Sequence, residues 1–273
     1  MFDLFAVQLV SNLRRRSDRL VVVAPEAWPS ELDQPTIGLE PFELVDHVFV
    51  GGRAAASAIG RVVDRPSSPL PPAVDVLRFA AKGWQRPRPI FAFNPGRRSP
   101  GQHRRLLDQS ERGAGIYLYD TLTGGSVTDA TAHRAHYSRV LQDTDLLVTN
   151  YAKFDLPDTI GTSREVPGRV FEGLAAGCRL IGEAPDTEAL AAAGLDGAVI
   201  HPFDLDGRTF PVLDEADGPA ERAANIGLAA RTADWAHRWQ RITSTMGIGM
   251  GSEVARRLQE LGELVERADA VVG

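Results

Sequence analysis

The chain of 273 residues is 43% apolar and 24% charged, the balance of a globular protein that can bury one large or two modest cores. A net charge of −6, with no basic run longer than Arg14 to Arg16, argues against a nucleic-acid-binding protein. The single cysteine, Cys178, excludes an intramolecular disulfide and is typical of a reducing compartment. Because no apolar run has transmembrane length and no signal peptide is recognisable, we expect a cytoplasmic protein whose membrane contact, if any, is peripheral.

The first part of the chain predicts a small α/β domain over residues 1–72. Short apolar runs predict strands, and apolar residues at helical spacing predict helices. Four prolines among residues 65–72 predict a connector without regular structure, where the domain is expected to end. The predicted elements are a helix over 2–13, strands over 20–24 and 45–50, and an alanine-rich helix over 53–63.

From residue 73 onward, strands alternate with helices, which is the pattern of a doubly wound α/β domain built on a parallel sheet. We assign this domain to residues 73–246 and assign residues 247–273 to a C-terminal helix. Three glycines between residues 247 and 251 predict a flexible break rather than a dinucleotide-binding turn, because no strand precedes them. The predicted strands cover 90–93, 116–119, 146–149, 179–182 and 198–201, and the predicted helices cover 102–109, 131–141, 167–176, 220–231, 234–246 and 253–265.

The helix that begins near Pro167 carries the strongest functional signal. Proline fits the first helical turn, Ser163 or Thr162 could cap it, and Gly177 is suited to end it. Arg169 and Glu172 are three residues apart, so they share a face beside the unpaired N–H groups of the helix start. They could hold a diphosphate and the hydroxyls of a ribose, or they could form a solvated ion pair. The spacing alone leaves both interpretations open.

The letters R-V-F-E-G-L-A-A-G-C-R-L-I, which begin at Arg169, resemble the donor-binding helix of retaining, nucleotide-sugar-dependent glycosyltransferases of the GT-B fold. The resemblance implies that Glu172 binds the ribose or the sugar of the donor. Many members carry a second glutamate eight positions earlier, where this chain has Arg164, with Glu165 one residue late. At that position this chain therefore has a cation where those members have a carboxylate that contacts the transferred sugar.

The segment L-P-P-A-V-D-V-L-R-F over residues 70–79 resembles the chain that leaves the first domain of these enzymes and enters the second. The resemblance implies an α/β, GT-B-like fold with one complete Rossmann-like donor domain. Only about the last half of a full first domain can be matched. Either the N-terminal domain is shortened or the start codon is placed too late, and the sequence does not decide between them.

Two loops at predicted strand ends add candidate donor contacts. Gly96 would let the backbone approach a phosphate that Arg97 or Arg98 could neutralise, and Asn150, Tyr151 and Lys153 could line a nucleobase or sugar pocket. The alternative interpretation is that both loops are solvated, and for Arg97 and Arg98 only the match in position to the phosphate-contacting loop of the resembled family favours the functional one. The predicted donor-binding set is Asn94, Gly96, Arg97, Arg98, Asn150, Tyr151, Lys153, Arg164, Gly168, Arg169, Phe171 and Glu172.

The remaining polar and aromatic patterns predict no metal site and no cofactor. His133 and His136 could share a metal, but no third ligand joins them, so we expect exposed helix residues. The two D-x-D triplets, at 143–145 and 204–206, are expected to be turn and capping residues. Trp235 and Trp239 are expected to be packing anchors rather than sugar platforms.

These observations predict a glycosyltransferase that moves a sugar from a nucleotide diphosphate sugar to a carbohydrate, lipid-linked or small-molecule acceptor. The resemblance implies a retaining, metal-independent reaction, and no residue is assigned as the catalytic base. One alternative is a non-catalytic glycosyltransferase-like partner or regulatory module. A weaker alternative is a nucleotide-sugar epimerase of the same architecture, since fold alone does not decide function.

Overall fold

The computed structural model describes residues 13–32, 40–80, 84–120, 128–214 and 218–273. Residues 2–12 of the predicted helix over 2–13, and residues 121–125 of the predicted loop at 120–125, lie outside these ranges. The strands are β1 (Val21–Ala24), β2 (His47–Val50), β3 (Ser67–Pro69), β4 (Ile90–Asn94), β5 (Ile116–Tyr119), β6 (Thr144–Val148), β7 (Arg179–Gly182) and β8 (Ile200–Pro202). The α-helices are α1 (Pro29–Leu32), α2 (Arg53–Val63), α3 (Val76–Phe79), α4 (Pro100–Gln109), α5 (Ala130–Gln142), α6 (Pro157–Ile160), α7 (Gly168–Ala176), α8 (Thr187–Ala192), α9 (Gly218–Thr232), α10 (Trp235–Thr245) and α11 (Ser252–Val272), with short 3-10 or π turns at Glu40–Leu44, Ser110–Ala114 and Gly197–Val199.

The chain divides into two compact units, and a change of unit falls between residues 72 and 73. The first unit contains Met1–Pro72, and two later segments, Ala152–Val166 and Asp186–Gly194, group with it. The second unit contains the rest of the chain, including the C-terminal segment after residue 246. Both units are mixed α/β structures with a parallel sheet. Among the described residues, no helix combines the length and apolar character needed to cross a bilayer.

The sheet of the first unit has the order β1-β2-β3 in the described residues, and its strands are parallel. Buried alanines of α2 and Ile59 pack with Val48 and Val50 of the central strand. The prediction that residues 65–72 have no regular structure was wrong, because residues 67–69 form β3. Pro69 is tolerated there since it ends a strand that, among the described residues, pairs only with β2.

The second unit contains a sheet with the order β5-β4-β6-β7-β8 in the described residues, and all neighbouring strands are parallel. The carboxyl ends of its strands therefore lie along one edge. From β4 the chain passes to β5 on one side and then to β6 on the other. The gap between the carboxyl ends of β4 and β6 is thus the topological switch point, the usual ligand crevice of an open parallel sheet.

Helix α7 packs tightly on this sheet. Pro167 is its N-cap and Gly177, with φ of 70°, ends it as predicted. The predicted caps Ser163 and Thr162 were wrong, because the N-cap position is taken by Pro167, and α7 has no side-chain cap. Gly173 allows the close approach, since a Cβ there would lie 2.6 Å from the side chain of Leu147 on β6. This contact fixes the height of the whole helix above the sheet.

Cys178, between α7 and β7, is fully buried. Its Sγ donates to the carbonyl of Leu141 at 3.3 Å. Burial raises the pKa of this thiol to about 11, so it is protonated at neutral pH and poorly suited to act as a nucleophile.

Candidate functional site

A cavity of about 440 Å³ lies at the carboxyl end of β4, beside the topological switch point of the second unit. Its walls come from α3, α5 and α7 and from the residues that follow β4 and β5. A volume of this size is in the range of small-ligand sites. The lining residues are Phe79, Phe93, Pro95, Gly96, Asp120, Ala130, His133, Arg134, Tyr137, Arg169 and Glu172.

Gly96 and Arg169 meet at one side of this cavity. Gly96 has φ of 72°, and a Cβ built on it would overlap the guanidinium group of Arg169. The loop is held by Asp120, whose Oδ2 accepts from the Gly96 N–H at 2.6 Å and whose carbonyl accepts from Arg98 Nη1 at 2.5 Å. The backbone conformation therefore favours glycine here, and a larger residue would also displace the Arg169 guanidinium.

Glu172 interacts with α5 rather than with its own helix. Within the described residues, it makes no ion pair with Arg169. Its Oε2 accepts a 3.2 Å hydrogen bond from the hydroxyl of Tyr137 on α5. Burial raises the pKa of Glu172 above its ordinary value, while the Tyr137 hydrogen bond and the charge of Arg169 oppose that rise. The solvated ion pair considered from the spacing is thus not the arrangement that forms.

Tyr137 contacts the other aromatic side chains that line the cavity. Burial and the Glu172 carboxylate raise the pKa of its hydroxyl, which therefore stays protonated and donates at neutral pH. The imidazole of His133 stacks parallel to its ring at 6.0 Å, and Phe93 and Phe79 meet it edge-on. These contacts hold the hydroxyl against Glu172, so the carboxylate presents a defined acceptor to the cavity.

Only some of the predicted donor-binding residues line the cavity. Gly96, Arg169 and Glu172 line the cavity together. Arg97 and Gly168 are exposed residues outside its lining. Arg98 is also outside the lining, with its guanidinium 4.9 Å from the centre of the Tyr119 ring.

Four other predicted residues have buried side chains outside the lining of the cavity. Asn150 exchanges hydrogen bonds of 2.8 and 2.9 Å with Gln102 and also accepts from the Glu183 N–H. Phe171 is fully buried on the core side of α7, because positions 171 and 172 point in different directions on a helix. Asn94 and Tyr151 are likewise buried.

Lys153 and Arg164 belong to the first unit, whereas the cavity belongs to the second. Lys153 Nζ lies 2.9 Å from Glu26 and 5.0 Å from the centre of the Trp28 ring. Glu165 also lies in the first unit, where its carboxylate approaches Gly52 and lines a separate cavity of about 360 Å³.

The D-x-D triplets are explained by local contacts. The prediction that Asp145 lies in a turn was wrong, because it lies inside β6. There it pairs with Arg179 and, at 3.0 Å, with Arg222. Asp143 caps α5, and Asp204 accepts from the backbone and hydroxyl of Thr209. In the described parts of the chain, no group of three or more potential metal ligands occurs.

Sequence reasoning missed the contribution of α5 to the cavity. His133, Arg134 and Tyr137 all line it, although His133 was predicted only as an exposed residue. His133 is exposed, as predicted, and it also lines the cavity. The spacing 133, 134 and 137 places these residues on one helical face, and this was the available signal.

Comparison with known proteins gives no family assignment. No family model matches the chain, and no curated protein matches its sequence. Solved structures that are similar include a GtfA/B complex, with 12% identity, a TM-score of 0.38, and coverage of 97% of this chain and 53% of that one. Another is the pneumococcal O-GlcNAc transferase GtfA in complex with UDP and GlcNAc, with 12% identity, a TM-score of 0.38, and coverage of 96% and 54%. The chain spans about half the length of these structures, and a likeness at this level carries no argument about activity.

Proposed function

We propose that this protein is a glycosyltransferase that transfers a sugar from a nucleotide diphosphate sugar to a carbohydrate, lipid-linked or small-molecule acceptor. The observation that carries the proposal is the meeting of Gly96, Arg169 and Glu172 around one cavity at the switch point of a parallel sheet. A diphosphate and a polyhydroxylated group need complementary partners, a cation and a hydrogen-bond acceptor. The cavity offers both side by side.

The diphosphate is assigned to the Arg169 side. Arg169 is the second residue of α7, so its guanidinium and the N–H groups of the first helical turn provide positive charge in the same place. Arg134 from α5 lines the same cavity and adds a second cation. As the bond to the sugar breaks, these groups stabilise the negative charge that develops on the released diphosphate.

The hydroxyls of the ribose or sugar are assigned to Glu172. A carboxylate accepts hydrogen bonds from two hydroxyls at once, and Tyr137 holds it in position. The reaction is proposed to be retaining, as the resemblance of the α7 sequence to glycosyltransferases implies. It is proposed to be metal-independent, since Asp145 and Asp204 of the D-x-D triplets are already used in ion pairs and turns.

The test is calorimetric titration of the protein with UDP, GDP and ADP. We expect at least one nucleotide to bind, and we expect Arg169→Ala and Glu172→Ala each to weaken its binding by about tenfold or more, since each removes a charge-assisted hydrogen bond. Arg267→Ala and Glu266→Ala, at exposed positions of α11, are matched controls that should bind as the wild type does. Failure of all three nucleotides to bind would refute the proposal.

A second candidate is a non-catalytic binding module with the same cavity. It is favoured by Arg164, which stands where many glycosyltransferases have a second glutamate, and which lies in the unit without the cavity. Incubation with UDP- or GDP-sugars separates the two functions, because an enzyme releases the nucleoside diphosphate by transfer or slow hydrolysis, whereas a module only binds. Release should continue in EDTA, and a strict requirement for Mn²⁺ would contradict the metal-independent reaction.

A further inference from the structure

A second cavity of the same unit, of about 320 Å³, lies between α10 and the start of α11. Trp235 and Trp239 line it from one face of α10, four residues apart, and Val254 faces them from α11. The two tryptophans are 41% and 50% exposed, so the prediction that they are packing anchors was wrong. Large aromatic side chains that remain exposed on the wall of a cavity are available to a ligand.

The polar residues that line this cavity are joined by hydrogen bonds. Asp234, which is 1% exposed, caps α10 and accepts from the N–H groups of Val76 and Ala236 at 2.9 Å each. Arg257 from α11 donates to Asp234 at 2.7 Å and to Asp75 at 2.5 Å. This partly buried network joins the start of α10 to α11 and holds polar groups beside the indole rings.

The charges around the cavity are balanced by neighbouring groups. Arg257 pairs with Asp234 and Asp75, Arg78 lies 3.6 Å from Asp75, and Arg256 lies 2.7 Å from Glu253 at the rim. An excess of positive charge, which an anionic lipid surface would require, is therefore missing from these lining residues. An unpaired cluster of carboxylates, which a quaternary ammonium ligand would favour beside the tryptophans, is missing from them as well. Charge complementarity points to a neutral ligand.

We propose that this cavity binds a saccharide. A pyranose ring has one face made of C–H groups and an edge made of hydroxyls. The C–H face matches the two indole rings, and the edge hydroxyls match the carboxylates of Asp75 and Glu253 and the guanidinium of Arg257. Trp235 and Trp239 lie one helical turn apart, about 6 Å along the axis, which is enough for contact with successive sugar rings.

This site is separate from the cavity that contains Glu172. The two cavities lie at opposite ends of α3, because Asp75, the N-cap of α3, lines the tryptophan cavity and Phe79, its last residue, lines the other. The proposal does not depend on glycosyl transfer. It requires only that a neutral saccharide binds at α10, whether or not a nucleotide binds at α7.

The experiment uses the full chain with chitohexaose, maltohexaose and cellohexaose as probes, observed by tryptophan fluorescence and saturation-transfer NMR. At least one hexasaccharide should bind, and Trp235→Ala and Trp239→Ala should each weaken binding by roughly tenfold. Trp239→Phe should retain most of the affinity, because an aromatic face remains. Val272→Ala, another exposed apolar position on α11, is the control that should bind normally. Trp239→Phe also keeps the test informative if an alanine variant unfolds.

Three results would overturn the proposal. The first is that none of the hexasaccharides binds at millimolar concentration. The second is that a hexasaccharide binds equally well to Trp235→Ala and Trp239→Ala, which would place the site elsewhere. The third is that choline, or vesicles containing phosphatidylglycerol, bind through these tryptophans while the saccharides do not, which would identify a cation site or a lipid-binding surface.

Discussion

The hydroxyl of Tyr137 donates a 3.2 Å hydrogen bond to Glu172, and this bond joins α5 to α7 across the candidate donor cavity. The carboxylate is half-buried, and four neighbouring groups act on its ionisation, namely Tyr137, Arg169, Arg134 and His133. Tyr137 and Arg169 favour the charged form, whereas burial favours the neutral form. The proposed role of Glu172, as an acceptor of hydroxyl hydrogen bonds, requires the charged form.

Tyr137→Phe should make nucleotide binding more sensitive to acid. Removal of the hydroxyl takes away a hydrogen bond that lowers the pKa of Glu172, so that pKa should rise further above its ordinary value. As pH falls, the variant should lose affinity at a higher pH than the wild type does. Affinity at neutral pH should fall by about tenfold or less. Calorimetry with the bound nucleotide at a series of pH values measures both effects, and identical pH profiles would contradict this account of Glu172.

Glu172→Gln should stabilise the fold while it weakens binding. The folded protein holds the Glu172 proton more tightly than the unfolded chain, because the folded-state pKa is raised. Ionisation of Glu172 therefore lowers the free energy of unfolding as pH rises through the interval between the unfolded and folded pKa values. Glutamine keeps an oxygen for Tyr137 and removes this cost, so the variant should gain about 0.5–2 kcal/mol at neutral pH. Urea denaturation at neutral and acidic pH tests this, and the gain should shrink in acid.

Gly96→Ala should damage both the loop and the cavity. The added methyl group would overlap the Arg169 guanidinium, and alanine is disfavoured at φ of 72°. We expect a loss of about 1–3 kcal/mol in stability and a clear loss of nucleotide affinity. Gly249→Ala is the matched control, because open space surrounds that position and its φ is not positive. Thermal unfolding and calorimetry of both variants compare them directly, and equal behaviour would argue against the Gly96–Arg169 contact.

Two glycine-to-alanine changes within helices should have opposite effects. Gly173→Ala would push α7 away from β6 and should cost about 1–3 kcal/mol, because a Cβ would lie 2.6 Å from the Leu147 side chain. Gly262→Ala, inside α11, meets open space and should stabilise the protein by about 0.5–1 kcal/mol through helix propensity. Denaturant midpoints measure the pair. A stabilising Gly173→Ala would show that α7 does not pack on the sheet as closely as described.

The two D-x-D triplets should differ in their contribution to stability. Asp145 is 16% exposed and pairs with Arg179 and Arg222, which are 6% and 12% exposed, so Asp145→Asn leaves buried cations unpaired and should cost about 3 kcal/mol. Asp206→Asn removes the charge of an exposed pair with Arg208, while the amide oxygen can still accept from the Arg208 N–H, so stability should change by about 0.5 kcal/mol or less. Urea titrations compare the two variants, and similar losses would contradict the burial argument.

Much of the local structure was predictable from the sequence. Helix α2 and strands β5 and β7 have the predicted bounds, and α7 ends at Gly177 as expected. These predictions succeeded because their signals are local, namely apolar periodicity within a few turns and a glycine that ends a helix. The spacing of Arg169 and Glu172 likewise placed them on one helix before their surroundings were known.

The tertiary structure decided which of the candidate residues share a cavity. Asn94, Asn150 and Phe171 were all candidates for the donor site, yet their side chains are buried outside the lining of the cavity. The direction of a side chain depends on which face of its element packs against the core. Tyr137 became a partner of Glu172 only through the packing of α5 beside α7, which are 35 residues apart in sequence at this contact. Trp235 and Trp239 are exposed although Ile242, which lies on the same stripe of α10 at helical spacing, is buried. Sequence periodicity indicates that a helix has a buried face, but contacts between distant segments determine what each face meets.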